Sequence, residues 1–544
     1  MKRMSVTLRS LGSAQMAILF LLISAQFASA QTPEIDQAKY QVQVDQSAKA
    51  KDILQKAVAA HPEDASLWYF LGEVQIKRGE LKEAEISFQK GIELNDKELL
   101  NTVGKGHLRL IENNAVEAKK LLEQAITLSK SKNIAVLKAA AEVYLTQTAY
   151  ANNALALLLK AKAINNKDEE VFLLLGDAYL LQNNGGLAVT SLETAASLSP
   201  KDATPEYKIG LIYLRSKNTE AADVALTKAV KIDPAYTLAY KELGELYYLE
   251  KKAAEAVVAY ERYLSLTENP EPAKLRYAFF LFMAKSYAKA NEIFKTQIQK
   301  SDVSPLTLRF YAFSLFAVDD FAQTQTVMEQ YFAKQPAAQI EASDYKFYGQ
   351  LLMKLNQDSV AMEALETSYT LDTTQTEVLQ TIAETQFKNK RYEKSINAYS
   401  RLMKKRAKPL KGDHFKIGQA YYITKQFGKA DTTFQKLIEL ESNISVGYLW
   451  AARTKSQLDP DSEKGLAKPY YEKVIEKASA NPEKEKNNLI EANSYLGYYH
   501  YLKGDLKLSK TYWESVIALD PNNEKAKEAI RALNEALKGP KPKQ

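Results

Sequence analysis

The sequence predicts an all-α solenoid built of helix–turn–helix repeats and closed by a C-terminal capping helix. Gly176, Gly210 and Gly244 stand 34 residues apart, and Tyr179, Tyr213 and Tyr247 keep the same step, as do Ala188, Ala222 and Ala256. A fixed period of that length is the mark of a repeat architecture. Within each period the apolar residues fall at helical spacing. Leu175, Gly176 and Tyr179 share one face of a first helix, while Ala188, Leu192 and Ala195 form a stripe on a second. Pro200 and Pro234 carry no amide hydrogen and end the second helix of their copies. Close approach of the paired helices calls for small side chains, which sets Gly176 opposite Ala188. One pair cannot bury its own apolar stripe and therefore needs stacked neighbours.

A 34-residue step with small residues at positions 8 and 20, an aromatic at 11 and proline at 32 resembles the tetratricopeptide repeat (TPR). The resemblance covers nearly all of the chain after the leader. It implies a TPR superhelical solenoid, right-handed, with an inner groove lined by the first helix of each repeat.

Residues 1–30 read as a secretory signal peptide. Lys2, Arg3 and Arg9 give a basic start, residues 16–23 are a short apolar run, and Ala28-Ser29-Ala30 suits cleavage near Ala30-Gln31. The run is too short to cross a bilayer comfortably, and no later run in the mature chain is long enough. The expectation is an exported protein, periplasmic or secreted. The chain has no cysteine, which excludes disulfides, thiol catalysis and a lipid-modified N-terminal cysteine.

Residues 31–403 read as about eleven repeats. The first is degenerate over residues 35–47 but clear at Ala50, Leu54 and Ala57; the second is sharp, with Trp68, Gly72, Ala84 and Phe88. Gly106 with Leu122 and Ala141 with Leu158 mark the next two, before the three regular copies. Ala278 with Phe294, Ala312 with Met328, Gly349 with Leu365 and Ala383 with Tyr399 continue the series. A basic connector at 404–411 is the expected joint between two segments of the array. Three further repeats occupy 412–521, marked by Gly418, Trp450 and Gly497, the middle one with a long turn at 458–468 that is expected to project from the solenoid edge. Residues 522–538 form the cap, with Ala526, Ile530 and Leu533 on one face, and 539–544 read as a disordered tail.

The chemistry of known active sites is missing from the pattern. His61, His107, His414 and His500 lie in different repeats, none spaced as metal ligands on a helix. There is no phosphate-binding glycine loop and no nucleophile elbow, so no catalytic, cofactor or metal residue is assigned. The net charge of +7 includes three basic residues of the leader, which leaves a mildly basic chain with no basic face of the kind nucleic acid requires. Glu73, Glu142, Asp177, Glu245 and Glu384 recur after the small residue of the first helix and read as a solvated face.

In TPR proteins positions 2, 5, 9, 12 and 13 of the first helix line the groove. Counting from the small residue at position 8, the resemblance places Tyr207, Leu211, Tyr248, Phe279, Phe282, Phe313, Phe316, Phe387 and Tyr422 there. An apolar strip of this kind points to a partner site for a peptide or a helix of another protein. The asparagine-and-lysine clamp of chaperone-binding TPR domains is absent, since position 9 holds Glu73, Asp177, Leu211, Glu245 and Phe279. The expected function is a non-enzymatic protein–protein interaction scaffold of the bacterial cell envelope. A carbohydrate-binding envelope protein, stacking sugars on groove aromatics, is the alternative. Partner identity and self-association stay open.

Overall fold

The computed structural model describes residues 33–300, 302–408 and 410–538. The expected signal peptide and tail lie outside the described residues. Among these there are 29 α-helices and no strand, and the chain divides into two compact units between residues 303 and 304.

Eight helix hairpins make the first unit. They are α1 (Pro33–Gln43) with α2 (Ser47–Ala60), α3 (Ala65–Lys77) with α4 (Leu81–Leu94), α5 (Leu100–Ile111) with α6 (Ala115–Leu128), and α7 (Ile134–Leu145) with α8 (Ala151–Ile164). Then come α9 (Glu169–Leu181) with α10 (Gly185–Leu198), α11 (Thr204–Arg215) with α12 (Thr219–Ile232), α13 (Thr237–Leu249) with α14 (Ala253–Leu266), and α15 (Glu271–Met283) with α16 (Tyr287–Gln297). The second unit holds α17 (Pro305–Phe316) with α18 (Phe321–Lys334), α19 (Ala342–Lys354) with α20 (Asp358–Leu371), and α21 (Thr376–Lys388) with α22 (Tyr392–Lys405). It continues with α23 (Lys411–Ile423) and α24 (Phe427–Leu440), α25 (Ser445–Leu458) and α26 (Lys468–Ala478), α27 (Lys486–Leu502) and α28 (Leu506–Leu519), and ends at the single helix α29 (Glu524–Leu537).

Most hairpins are held by one large side chain set into one gap. A Cβ added to Gly176 would lie 2.7 Å from Leu192, one added to Gly210 2.7 Å from Leu226, and one added to Gly418 2.7 Å from Phe434. The small residue of the first helix therefore faces the large residue sixteen positions on, and the expected pairing of Gly176 with Ala188 gives way to Gly176 with Leu192. The alanine twelve positions on contributes its backbone, as where Ala361 O lies 3.2 Å from the Cβ position of Gly349. Phe88, Leu122, Leu158, Leu192, Leu226, Phe294, Met328, Leu365, Tyr399 and Phe434 are all almost wholly buried. Burying such a side chain stabilises by about 1.5–3 kcal/mol.

The turn inside each hairpin has a second recurring element. Asn183, Lys217, Lys251, Lys285 and Asp319, each 34 residues from the last, adopt left-handed backbone with φ near +60°. The geometry closes a Schellman-type end: at α13, Lys251 N donates to Tyr248 O (3.1 Å) and Lys252 N to Tyr247 O (2.8 Å). Glycine suits such a site best, yet lysine and asparagine fill most of them.

The long turn after α25 packs down rather than projecting. Asp459 is buried and its carboxylate accepts from the amides of Lys464 (3.3 Å) and Leu466 (3.2 Å). Ser462 meets the Tyr495 hydroxyl at 3.2 Å, and Lys503 Nζ donates to Glu463 O at 2.8 Å. At residues 404–411 both ends are helical, Arg406 pairs with buried Asp413, and one apolar cluster runs from Leu402 to Ile417.

His414 in α23 is buried with its Nδ1 unpartnered. Burial first, and the charge of Lys436 second, hold its imidazole below the ordinary histidine range, against a smaller opposing effect of Asp413. A depressed histidine adds stability that is complete above its unfolded pKa of about 6.5 and is lost as pH falls through the lower folded value. Acidification from pH 7.5 to 5 should lower the urea midpoint followed by Trp450 and Trp513 fluorescence. His414→Leu, matching Leu308 and Leu379 at the same repeat position, should flatten that dependence. Lys251→Gly should raise the thermal midpoint by the equivalent of about 0.5–1 kcal/mol, and Lys251→Ala should not.

Candidate partner-binding groove

Curvature within each unit follows from which helices touch. First helices of successive hairpins pack on one another, as α3 on α5, α5 on α7, α7 on α9, α11 on α13 and α25 on α27. First helices therefore line one face of each unit, the face to which the repeat register assigns positions 2, 5, 9, 12 and 13.

All nine expected groove residues are half-buried. In the first unit, Tyr207 packs 5.2 Å from Tyr236 and burial raises its hydroxyl pKa, while Leu211 follows one turn on. Tyr248 stacks on Phe280 at 5.0 Å and carries the Arg276 guanidinium 4.4 Å over its ring. Phe279 meets Phe294 edge-on at 5.6 Å, and Phe282 meets Tyr287 at 5.5 Å. In the second unit, Phe313 and Phe316 share Phe347, at 4.5 Å and 5.0 Å. Phe387 lies 5.4 Å from Tyr392 with Lys416 Nζ 4.9 Å above it, and Tyr422 touches Phe427 (5.5 Å) and Trp450 (5.4 Å).

Three of these contacts, together with Phe316–Phe321, are one contact repeated. Phe282–Tyr287, Phe316–Phe321, Phe387–Tyr392 and Tyr422–Phe427 each join the end of a first helix to the first residue of the second. The aromatic at position 12 thus pins its own hairpin turn and stays half-buried. The recurrence of an aromatic five residues further on is readable in the sequence and marks this role.

Of the acidic residues at position 9, Glu142 and Glu384 are exposed as expected, whereas Glu73, Asp177 and Glu245 are half-buried and paired. Asp177 accepts from Lys208 Nζ at 2.7 Å, and Glu245 holds Arg276 Nε at 2.8 Å; both bonds tie one hairpin to the next. Glu73 sits 2.8 Å from His107 Nδ1. Burial alone would lower His107, but the hydrogen bond and charge of Glu73, helped by Glu142, raise it. Exposed apolar groups remain on the inner helices: Leu249 and Met283 in the first unit, and Ile423, Tyr498, Tyr501 and Leu502 in the second. Among the described residues there is no cluster of three or more metal-ligating side chains, and no helix is long and apolar enough to cross a membrane.

Stacked hairpins with a small residue facing a large one sixteen positions on, and first helices lining an inner face, define an α-solenoid repeat protein. Tetratricopeptide repeat models match residues 35–97, 207–236 and 414–444. The C-terminal part of a TPR repeat-containing protein from Cytophaga hutchinsonii is 35% identical, over 47% of this chain and 99% of that one, with a TM-score of 0.38. The chain belongs to the tetratricopeptide repeat family. YrrB, a TPR protein described as having an unusual peptide-binding site, is 24% identical over 35% of this chain and 96% of its own, with a TM-score of 0.24. A thermophilic TPR protein of Thermus thermophilus is 21% identical over 34% of this chain and 98% of its own, with a TM-score of 0.29. No curated protein gives a significant match. The repeats are those of a protein–protein interaction scaffold.

Tyr392→Ala should remove the pin on the α21–α22 turn and destabilise the second unit by about 1–2 kcal/mol. Tyr392→Phe keeps the ring and should leave the urea midpoint within error of the parent.

Proposed function

We propose that this chain is an exported, non-enzymatic scaffold of the bacterial cell envelope that grips a peptide or a helix of another protein along the inner face of its repeats. One observation carries the reading. Inner-face aromatics recur from α11 to α23, held in place by their neighbours yet half open, with exposed apolar residues beside them. Rings fixed in this way lose little side-chain entropy on binding, which suits them as anchors. Leu249 with Met283, and Tyr498 with Tyr501 and Leu502, are exposed groups on these helices. The leader and the lack of cysteine support export as a lipid-free protein.

Affinity capture from an envelope extract tests the reading, with residues 31–544 as bait beside two variants. Leu249→Glu/Met283→Glu and Tyr498→Glu/Tyr501→Glu place charge at exposed sites, and circular dichroism should show both folded. A protein held by the parent and lost from either variant supports the groove. Equal retention by all three would place binding elsewhere and overturn it.

A further inference from the structure

The first hairpin reaches far along its own unit. Lys39 Nζ donates to Glu170 at 3.4 Å, and the Tyr40 hydroxyl to Asp233 at 3.1 Å. Gln46 occupies the N-cap position of α2 without capping it. Its Nε2 instead donates to Leu266 O, at the end of α14, at 2.9 Å. The Glu268 carboxylate accepts the Ala48 amide, through Oε2 at 3.0 Å. Two helix ends thus satisfy each other, an orphan amide of the first turn of α2 and an orphan carbonyl of the last turn of α14. A carboxylate at a helix start is also favoured by the helix dipole.

Between these bonds Val44, 2% exposed, enters the apolar cluster of Ala203, Tyr236 and Leu243, against which Tyr207 packs. The charge of Asp45 also bears on Tyr207. The turn from α1 to α2 therefore packs into the same apolar cluster as Tyr207, an aromatic that the repeat register assigns to partner binding. Tyr40, Ala48 and Glu268 are exposed, and exposed polar contacts contribute little against water. The contact rests on one small side chain and a few solvent-accessible bonds, so it can separate without unfolding the repeats.

We propose that the α1–α2 turn is an intramolecular ligand of the groove. Val44 fills a site for a short aliphatic side chain presented just before a helix start, and a partner offering the same group takes the site by displacing it. The proposal rests on the groove being a binding face, but its test needs no natural partner.

The chain has no cysteine, so Val44→Cys supplies a single thiol in the full-length protein. Ala256→Cys, at a 0% exposed position of α14, serves as the control for unfolding. Labelling by a bulky maleimide is followed with and without Glu268→Gln. The expected result is labelling of Val44→Cys that is faster than that of Ala256→Cys and rises about tenfold with Glu268→Gln, while Ala256→Cys is unchanged. A peptide of residues 36–50 should speed labelling of Val44→Cys with increasing dose. If Val44→Cys reacts no faster than the control in either background, the turn opens only on unfolding and the proposal fails. If the turn opens but the peptide changes nothing, displacement in trans is overturned. Either failure is distinct from an unsuccessful capture experiment.

Discussion

Everything in this molecule depends on a large side chain entering the gap left by a small one in the partner helix. Leu192 over Gly176, Leu226 over Gly210 and Phe434 over Gly418 bring two helix backbones close enough to exclude water between them. Interiors pack near crystal density, so a change at either member is felt by both helices. Where alanine replaces the glycine, as at Ala278, Ala312 and Ala383, the partner is Phe294, Met328 or Tyr399, all buried. The pair varies, but the gap is always filled.

The hairpins then use aromatic rings twice. Phe282, Phe316, Phe387 and Tyr422 brace the turn that follows them and also border the inner face. Bracing keeps each ring in one orientation, which would reduce what the proposed partner must order on binding. It also means that removing such a ring weakens the fold and, on the proposed reading, the binding face together. The exposed neighbours, Leu249, Met283, Tyr498 and Tyr501, carry no such burden.

Charge ties neighbouring hairpins along the inner face. Asp177 with Lys208 and Glu245 with Arg276 repeat the same step from one first helix to the next. Pairs of this kind contribute little to stability individually. Their placement beside Tyr248 fixes the Arg276 guanidinium over the ring, which leaves a cationic edge next to an apolar surface.

The repeat, its length and the helix ends near prolines such as Pro200 and Pro234 are legible in the amino-acid order. A period is a local property and survives without knowledge of the rest of the chain. Helix spacing tells which residues share a stripe, not how far the partner helix slides along it. For that reason the spacing sets Ala188 opposite Gly176, whereas Leu192 fills that gap in the folded chain. Three-dimensional packing likewise settles that the turn after Leu458 folds down onto Tyr495, and that Asp177 and Glu245 are paired. Above all, the entry of Val44 into the cluster of Tyr236 and Leu243 and the capping of Ala48 by Glu268 join residues many repeats apart. Contacts at that separation arise from the accumulated curvature of the stacked hairpins, which no single repeat encodes.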